Sequence, residues 1–147
     1  MPVGDPARAV YADAVRNFGD DDVMVIGMET ADVFTTAHLE ALRRISEQIR
    51  RLPGVRATES LIDATAFRYD AAEDMIAVES FVGTIPSVPE ALADLRARAL
   101  ADRLYPKSLV SKDGRTAAIN VAFRTMTDAA FVAAGIDDSV ATILAAE

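Results

Sequence analysis

A single amphipathic helix between two apolar segments constrains the fold of this chain more than any other feature. Aliphatic residues recur at steps of three and four, so that one apolar stripe runs along about four helical turns. Thr35 or Thr36 can cap the start of this helix, and Pro53-Gly54 ends it. The stripe consists of Leu39, Leu42, Ile45, Ile49 and Leu52.

Short apolar segments flank this helix on both sides. Val23 to Met28 is a continuous apolar run that is too short for a helix, and it predicts a strand covered on both faces. Val55 to Leu61 predicts a second strand directly after the Pro-Gly turn. Strand, helix and strand therefore follow one another with short connections.

A second set of elements follows a segment that is polar and irregular, residues 62–74. Met75 to Val82 alternates and predicts a third strand. Ser87-Val88-Pro89-Glu90 has the pattern of a capping box, with Ser87 at the N-cap, and predicts a helix that ends at Tyr105-Pro106. The residues that we expect on its inner side are Val88, Leu92, Leu95, Ala99 and Leu100.

The last strand is predicted in a hairpin. Leu109 to Ser111 and Thr116 to Phe123 flank the turn residues Asp113-Gly114, which favour a tight hairpin connection. The Ala-rich residues 127–147 predict helix, interrupted at Gly135, with Asp137 or Asp138 able to cap its second piece.

These elements predict an α+β fold with the order βαββαβ, which is that of the ferredoxin-like arrangement. We assign this arrangement to residues 20–126. An added N-terminal helix, Pro6 to Asn17, falls in residues 1–19, and the C-terminal helical segment spans residues 127–147. Such a sheet is antiparallel, carries its helices on one face and leaves the other face free for a partner.

Composition excludes several classes of function. The net charge is -8, and the chain has no basic face with which a nucleic-acid binder would neutralise phosphates. The absence of cysteine excludes disulfides, thiol catalysis and thiolate metal sites. No apolar run approaches the roughly 18–20 residues that cross a bilayer, and residues 1–6 do not have the pattern of a signal peptide.

Residues that could carry chemistry are few. His38 is the only histidine, and its place in the first turn of the capped helix favours an ordinary helix-start residue over a catalytic one. Asp20-Asp21-Asp22 lacks the spacing of a calcium loop and is typical of a solvated acidic turn. No glycine-rich phosphate loop or nucleophile elbow is present. We therefore expect no enzyme activity, no cofactor and no metal site.

Six apolar or aromatic residues in the middle and at the end of the chain allow two interpretations. They can be core residues plus one ordinary loop, or they can form an apolar surface for a hydrophobic substrate, since methionine and aromatic side chains tolerate varied apolar ligands. The candidate substrate-binding residues are Phe67, Tyr69, Met75, Phe81, Phe123 and Met126.

A series of short motifs, in a fixed order, covers the chain from about Asp5 to Phe123. The motifs are Asp5-Pro6, Tyr11, Phe18-Gly19-Asp20-Asp21-Asp22 leading into the strand up to Thr30, Asp32-Val33-Phe34-Thr35, Leu52-Pro53-Gly54-Val55, Ser60-Leu61, Ile85-Pro86, and Leu109 to Ala117. Their order and spacing resemble the first large periplasmic loop of resistance–nodulation–division (RND) exporters, in the MMPL-like branch that exports hydrophobic molecules.

This resemblance implies a soluble fragment of a proton-driven inner-membrane transporter, on the periplasmic side, that conducts hydrophobic lipid-like molecules of the sterol or hopanoid type. The implied partners are the remaining porter and transmembrane domains, a periplasmic carrier protein and further copies in a homo-oligomeric parent. The proton-carrying residues of such exporters lie in membrane helices, so none is assigned here. The alternative is a freestanding ferredoxin-like domain that binds a small ligand or regulates another protein.

Overall fold

The computed structural model describes residues 23–147. The predicted helix at 6–17 and the acidic turn at 20–22 lie outside the described residues. Within the described range the chain forms five strands and five helices. In chain order they are β1 (Val23–Glu29), α1 (Thr36–Arg50), β2 (Val55–Glu59), β3 (Thr65–Asp70), β4 (Met75–Ser80), α2 (Pro89–Ala101), α3 (Tyr105–Ser108), β5 (Thr116–Phe123), α4 (Asp128–Ala133) and α5 (Ile136–Ala145).

Helix α1 forms as its apolar stripe predicts. Thr35 is the N-cap, and its side-chain oxygen accepts a hydrogen bond from the backbone N–H of His38 at 3.2 Å. After the helix, Gly54 adopts a φ of +86°, a conformation that glycine reaches without steric cost. Of the five stripe residues, Leu52 is partly buried and the other four, Leu39, Leu42, Ile45 and Ile49, are buried in the core.

The main sheet has three antiparallel strands in the order β1-β5-β2. β1 and β2 therefore run parallel to each other on either side of β5, and α1 connects them as a split β-α-β unit. β5 alternates strictly, and its buried residues Ala117, Ile119, Val121 and Phe123 join the core with the stripe of α1. An α+β fold is confirmed.

The prediction that β1 is covered on both faces is wrong. Ile26 is buried and Met24 and Met28 are partly buried, whereas Val23 and Val25 are exposed. The physical reason is that the sheet is antiparallel and its core lies on one side only, so that the second face of an edge strand stays in contact with solvent.

The ferredoxin-like arrangement is not confirmed, because β3 and β4 pair with each other in a separate two-stranded sheet. The prediction of irregular structure over residues 62–74 is wrong for β3, in which Thr65 to Asp70 pairs with β4 in continuous register. Side-chain alternation around Phe67 and Tyr69 was the available signal, and a charged neighbourhood obscured it.

The predicted capping box of α2 is also wrong. The helix begins one residue later than expected, so that Val88 is the N-cap and no side chain caps it. The prediction that Val88 lies on the inner side of the helix is wrong, because it precedes the first turn and is exposed. Leu95 and Ala99 are buried and Leu92 and Leu100 are partly buried, as predicted.

The connection from α2 to β5 explains why the helix ends before Tyr105-Pro106. The Asp102 carboxylate accepts hydrogen bonds from the backbone N–H groups of Leu104 at 2.7 Å and Tyr105 at 3.1 Å, which starts the short helix α3. The predicted hairpin then forms in reduced length. Val110 and Ala117 make a single antiparallel bridge across the turn, in which Gly114 has a φ of +73°.

The C-terminal residues are helical with a break at Gly135, as predicted. Gly135 itself is the N-cap of α5 with a φ of +60°, so Asp137 and Asp138 lie in the first turn instead of capping it. Ile136 and Val140 of α5 are buried in the same core as the sheet and α1.

Candidate functional site

An apolar pocket lies at one end of the main sheet, where β1 begins and β5 ends. Its cavity volume is about 390 Å³, which is within the range of sites for small molecules. We call it the sheet-end pocket. It is lined by Val23, Met24, Phe123, Arg124, Met126, Thr127, Asp128, Phe131 and Val132.

The walls of the sheet-end pocket come mainly from β1, β5 and α4. Phe123 ends β5 on its buried face, and Phe131 of α4 packs edge-to-face against it with ring centroids 5.2 Å apart. Thr127 holds the start of α4 by accepting a hydrogen bond from the backbone N–H of Ala130 at 3.2 Å. The aromatic pair thus fixes α4 against the end of the sheet.

Met126 reaches its position in the pocket because Gly54 has no side chain. A Cβ atom at Gly54 would collide with the end of the Met126 side chain. The two segments are joined next to this contact, where the backbone N–H of Arg124 donates to the carbonyl oxygen of Gly54 at 2.8 Å. The Pro-Gly turn that ends α1 therefore also shapes the pocket.

The polar groups of the sheet-end pocket lie at its rim. Arg124 and Asp128 are both exposed and bring one positive and one negative charge to the opening. Val132 is exposed at the mouth, with 74% of its surface accessible. An apolar cavity with a small polar rim suits a hydrophobic molecule that carries a small polar group.

The structure places the six predicted substrate-binding residues on three different surfaces. Only Phe123 and Met126 come together, in the sheet-end pocket. Phe81 is buried at the base of the β3–β4 hairpin, where it packs edge-to-face on Tyr105 at 4.8 Å and lines a second cavity of about 300 Å³. The remaining three, Phe67, Tyr69 and Met75, are exposed on the hairpin.

Sequence reasoning missed four apolar members of the sheet-end pocket: Val23, Met24, Phe131 and Val132. The sequence predicts the first two in a strand covered on both faces, and the last two in the helical segment 127–147. A signal was present, because Phe131 lies four positions after the capping Thr127 and is the only aromatic residue in 127–147.

The hairpin carries one perturbed ionisable group. A hydrogen bond of 2.5 Å from the Tyr69 hydroxyl to the Asp74 carboxylate raises the pKa of Tyr69, because the phenol proton is held by the carboxylate. Asp74 closes the loop between β3 and β4 with a φ of +50°. Both residues are exposed, so this pair orders the loop and does not form a buried reactive centre.

His38 lies at the start of α1 and makes a local contact. Its Nδ1 atom is 2.6 Å from the carbonyl oxygen of Asp32, to which it donates a hydrogen bond. This contact agrees with the interpretation of His38 as a helix-start residue. Among residues 23–147, no group of three or more acidic or histidine side chains is placed to hold a metal ion.

Within the described range, no helix has both the length and the apolar character needed to cross a membrane. Comparisons of the chain with models of known protein families, with curated proteins and with solved structures found no significant match.

Proposed function

We propose that this chain binds hydrophobic, lipid-like molecules in the sheet-end pocket, without covalent chemistry. The observation that carries the proposal is the pocket itself: a cavity of about 390 Å³ whose apolar walls include Phe123 and Met126. Two residues that the sequence suggested for substrate contact therefore share one concave site. Burial of apolar ligand surface there is favourable by about 25 cal/mol for each Å² removed from water.

The wider proposal is that the chain is the periplasmic fragment of a proton-driven RND-type inner-membrane transporter. Its support is the ordered motif set described above, together with the split β-α-β unit of β1, α1 and β2, which we propose as the counterpart of a ferredoxin-like porter subdomain. In this setting the sheet-end pocket is one part of a path for sterol-like or hopanoid-like molecules, and other parts belong to the remaining domains of the transporter.

Ligand binding is tested with a neutral hydrophobic fluorophore, N-phenyl-1-naphthylamine, whose emission rises in apolar surroundings. Val132→Glu places a charge at the mouth of the pocket without changing a buried residue, and we expect it to weaken binding about tenfold, because the ligand must then desolvate a carboxylate. Leu104→Glu is the matched control, since Leu104 is exposed to a similar degree, 70%, and lies away from the pocket.

The exposed hairpin offers a second place where the fluorophore could bind. Phe67→Gln, which makes the hairpin more polar, should leave the affinity of the sheet-end pocket unchanged. The proposed site is wrong if Val132→Glu and Leu104→Glu bind equally well, or if Phe67→Gln alone removes the signal.

The transporter setting is tested separately from the pocket. We expect the parent reading frame to encode an apolar span of about 20 residues directly upstream of this chain. A reading frame that starts near Met1 and encodes no membrane span would contradict the transporter setting and favour the freestanding ligand-binding domain, whatever the result of the binding assay.

A further inference from the structure

One face of the β3–β4 hairpin carries four large apolar side chains beyond the paired residues Thr65 and Ser80 at its base. Phe67 lies directly opposite Val78, and Tyr69 lies opposite Ile76. Residues that face each other in an antiparallel pair project to the same side of the sheet, as do residues two apart along a strand. We call this set the hairpin face. Its members are exposed: Phe67 75%, Tyr69 62%, Ile76 64% and Val78 63%.

The opposite face of the hairpin is turned toward the rest of the chain. Apart from Ser80 at the end of β4, the strand residues that line one cavity with Leu95 and Arg98 of α2 are Ala66 and Glu79, which are paired with each other. α2 therefore lies on their side of the hairpin. The hairpin face points the other way, and the described residues of the chain leave it in contact with solvent.

An isolated hairpin of this length is marginally stable unless one of its faces is packed. At its base the hairpin is held to the body by the Tyr105 hydroxyl, which donates to the carbonyl oxygen of Thr65 at 3.0 Å, and by the backbone N–H of Phe81, which donates to Ala64 at 2.8 Å. Beyond this base, the part of the chain that the structure describes leaves Phe67, Ile76 and Val78 exposed, and the Tyr69 hydroxyl donates to the loop residue Asp74.

We infer that the hairpin face is a self-association surface, on which a second copy of this chain packs face to face. Four such side chains expose on the order of 500 Å² of mainly apolar surface. Two copies would then bury about 1,000 Å² in total, which is where specific interfaces between proteins begin. Two hairpins stacked in this way make a small β-sandwich with a dry centre.

Charge favours a protein partner over a lipid surface. The hairpin loop carries Glu73 and Asp74, and the chain has a net charge of -8. Segments that lie on anionic membranes need basic residues beside their apolar face, and here both charged residues of the loop are acidic.

The same charges select one dimer geometry. A two-fold axis that lies in the plane between the two hairpins, perpendicular to their strands, keeps the two acidic loops at opposite ends of the dimer. In that geometry β3 packs on β3, so that Phe67 of one copy lies beside Tyr69 of the other. Aromatic pairs of this kind contribute beyond the area that they bury.

The first test is the mass of the chain in solution, measured by sedimentation velocity over a range of concentrations. We expect a monomer–dimer equilibrium that Phe67→Gln weakens at least tenfold. Met75→Gln is the matched control, because Met75 is 52% exposed on the same hairpin but belongs to its other face. Circular dichroism of both variants checks that the sheet is intact. A monomeric wild-type chain at 100 µM, or equal effects of the two variants, overturns the inference.

The second test uses the absence of cysteine from the chain. Tyr69→Cys introduces a single thiol close to the expected two-fold axis, and a bismaleimide cross-linker that spans about 10 Å, the spacing of packed sheets, should convert it to a covalent dimer. Ala77→Cys, on the other face, should remain monomeric under the same conditions. Equal cross-linking of the two variants places the contact elsewhere. Binding of the monomer to lipid vesicles through Phe67, without dimers, would assign the surface to lipid and refute self-association.

Discussion

Replacement of Asp63 by alanine should destabilise the fold more than any exposed substitution, because Asp63 satisfies two buried hydroxyl groups. Its Oδ2 atom accepts hydrogen bonds from Ser46 Oγ at 2.7 Å and Ser60 Oγ at 2.8 Å. Ser46 and Ser60 are 1% and 0% exposed. The other carboxylate oxygen contacts the guanidinium group of Arg50. The Asp63 carboxylate thus joins α1 to the turn that follows β2.

The magnitude follows from the groups left without a partner. Each buried hydroxyl that loses its acceptor costs about 1–3 kcal/mol. Arg50 is half exposed and its ion pair contributes little, since water replaces the carboxylate at a small cost. Ser46 keeps a long contact of 3.4 Å to Thr58, which reduces its loss. We therefore expect the free energy of unfolding of Asp63→Ala to fall by about 2–4 kcal/mol.

Urea denaturation followed by circular dichroism at 222 nm measures this change, and an unchanged m-value shows that the same surface unfolds. Asp63→Asn keeps an acceptor oxygen and should cost only about 1 kcal/mol. Glu47→Ala is the control for the lost negative charge, because Glu47 is exposed on α1, the helix that the Asp63 carboxylate contacts. The reasoning is refuted if Asp63→Ala and Glu47→Ala unfold at the same urea concentration. It is also refuted if the Ser46→Ala/Asp63→Ala double variant shows no coupling between the two sites.

Two further predictions concern pH and backbone conformation. Burial is the main reason that the pKa of Tyr105 lies above its ordinary value of 10.0, and the negative charge of Asp102 raises this pKa further. Tyr105 therefore ionises at lower pH in the unfolded chain, and the free energy of unfolding falls as pH rises above 10. Tyr105→Phe should lower the free energy of unfolding by about 1 kcal/mol at pH 8 through the lost hydrogen bond to Thr65. Urea denaturation should show a smaller deficit at pH 11 than at pH 8. An equal deficit at both pH values would contradict the link between Tyr105 ionisation and unfolding. Gly135→Ala should lower the free energy of unfolding by about 1–2 kcal/mol because of the φ of +60°, since its added Cβ meets no atom within 4 Å. Gly83→Ala, whose added Cβ also meets no atom within 4 Å, should change it little in the same assay, and equal effects would show that backbone conformation does not decide the result.

The local periodicity of the sequence predicted the elements that bury a regular apolar face. The stripe of α1 and the alternation of β5 each repeat over several turns or residues, and both formed where expected. The capping box of α2 failed because its signal rests on one hydroxyl and one carboxylate. Such a cap is worth only about 1 kcal/mol, and packing of Leu95 and Ala99 sets the position of the helix instead.

Pairing between strands was the part that the sequence did not specify. The order βαββαβ is compatible with one four-stranded sheet or with a three-stranded sheet and a separate hairpin. The difference depends on whether β5 or the predicted third strand, which is β4 in the structure, fills the space between β1 and β2. In the structure β5 fills it, with buried Ile119 and Val121 facing the core. β4 offers only Ile76 and Val78 as large apolar residues on one face, and both are exposed.

This choice of central strand also explains why the six candidate residues separate. Had β4 occupied the centre of the main sheet, Met75 would have shared that sheet with Phe123. With β5 in the centre, the end of the sheet forms a concave pocket, while the hairpin presents a flat apolar face. Concave apolar sites enclose most of a small ligand, whereas flat faces exclude water only against a surface of similar size. The two shapes therefore predict two classes of partner for residues that look alike in the sequence: a hydrophobic small molecule at Phe123, and a second protein surface at Phe67.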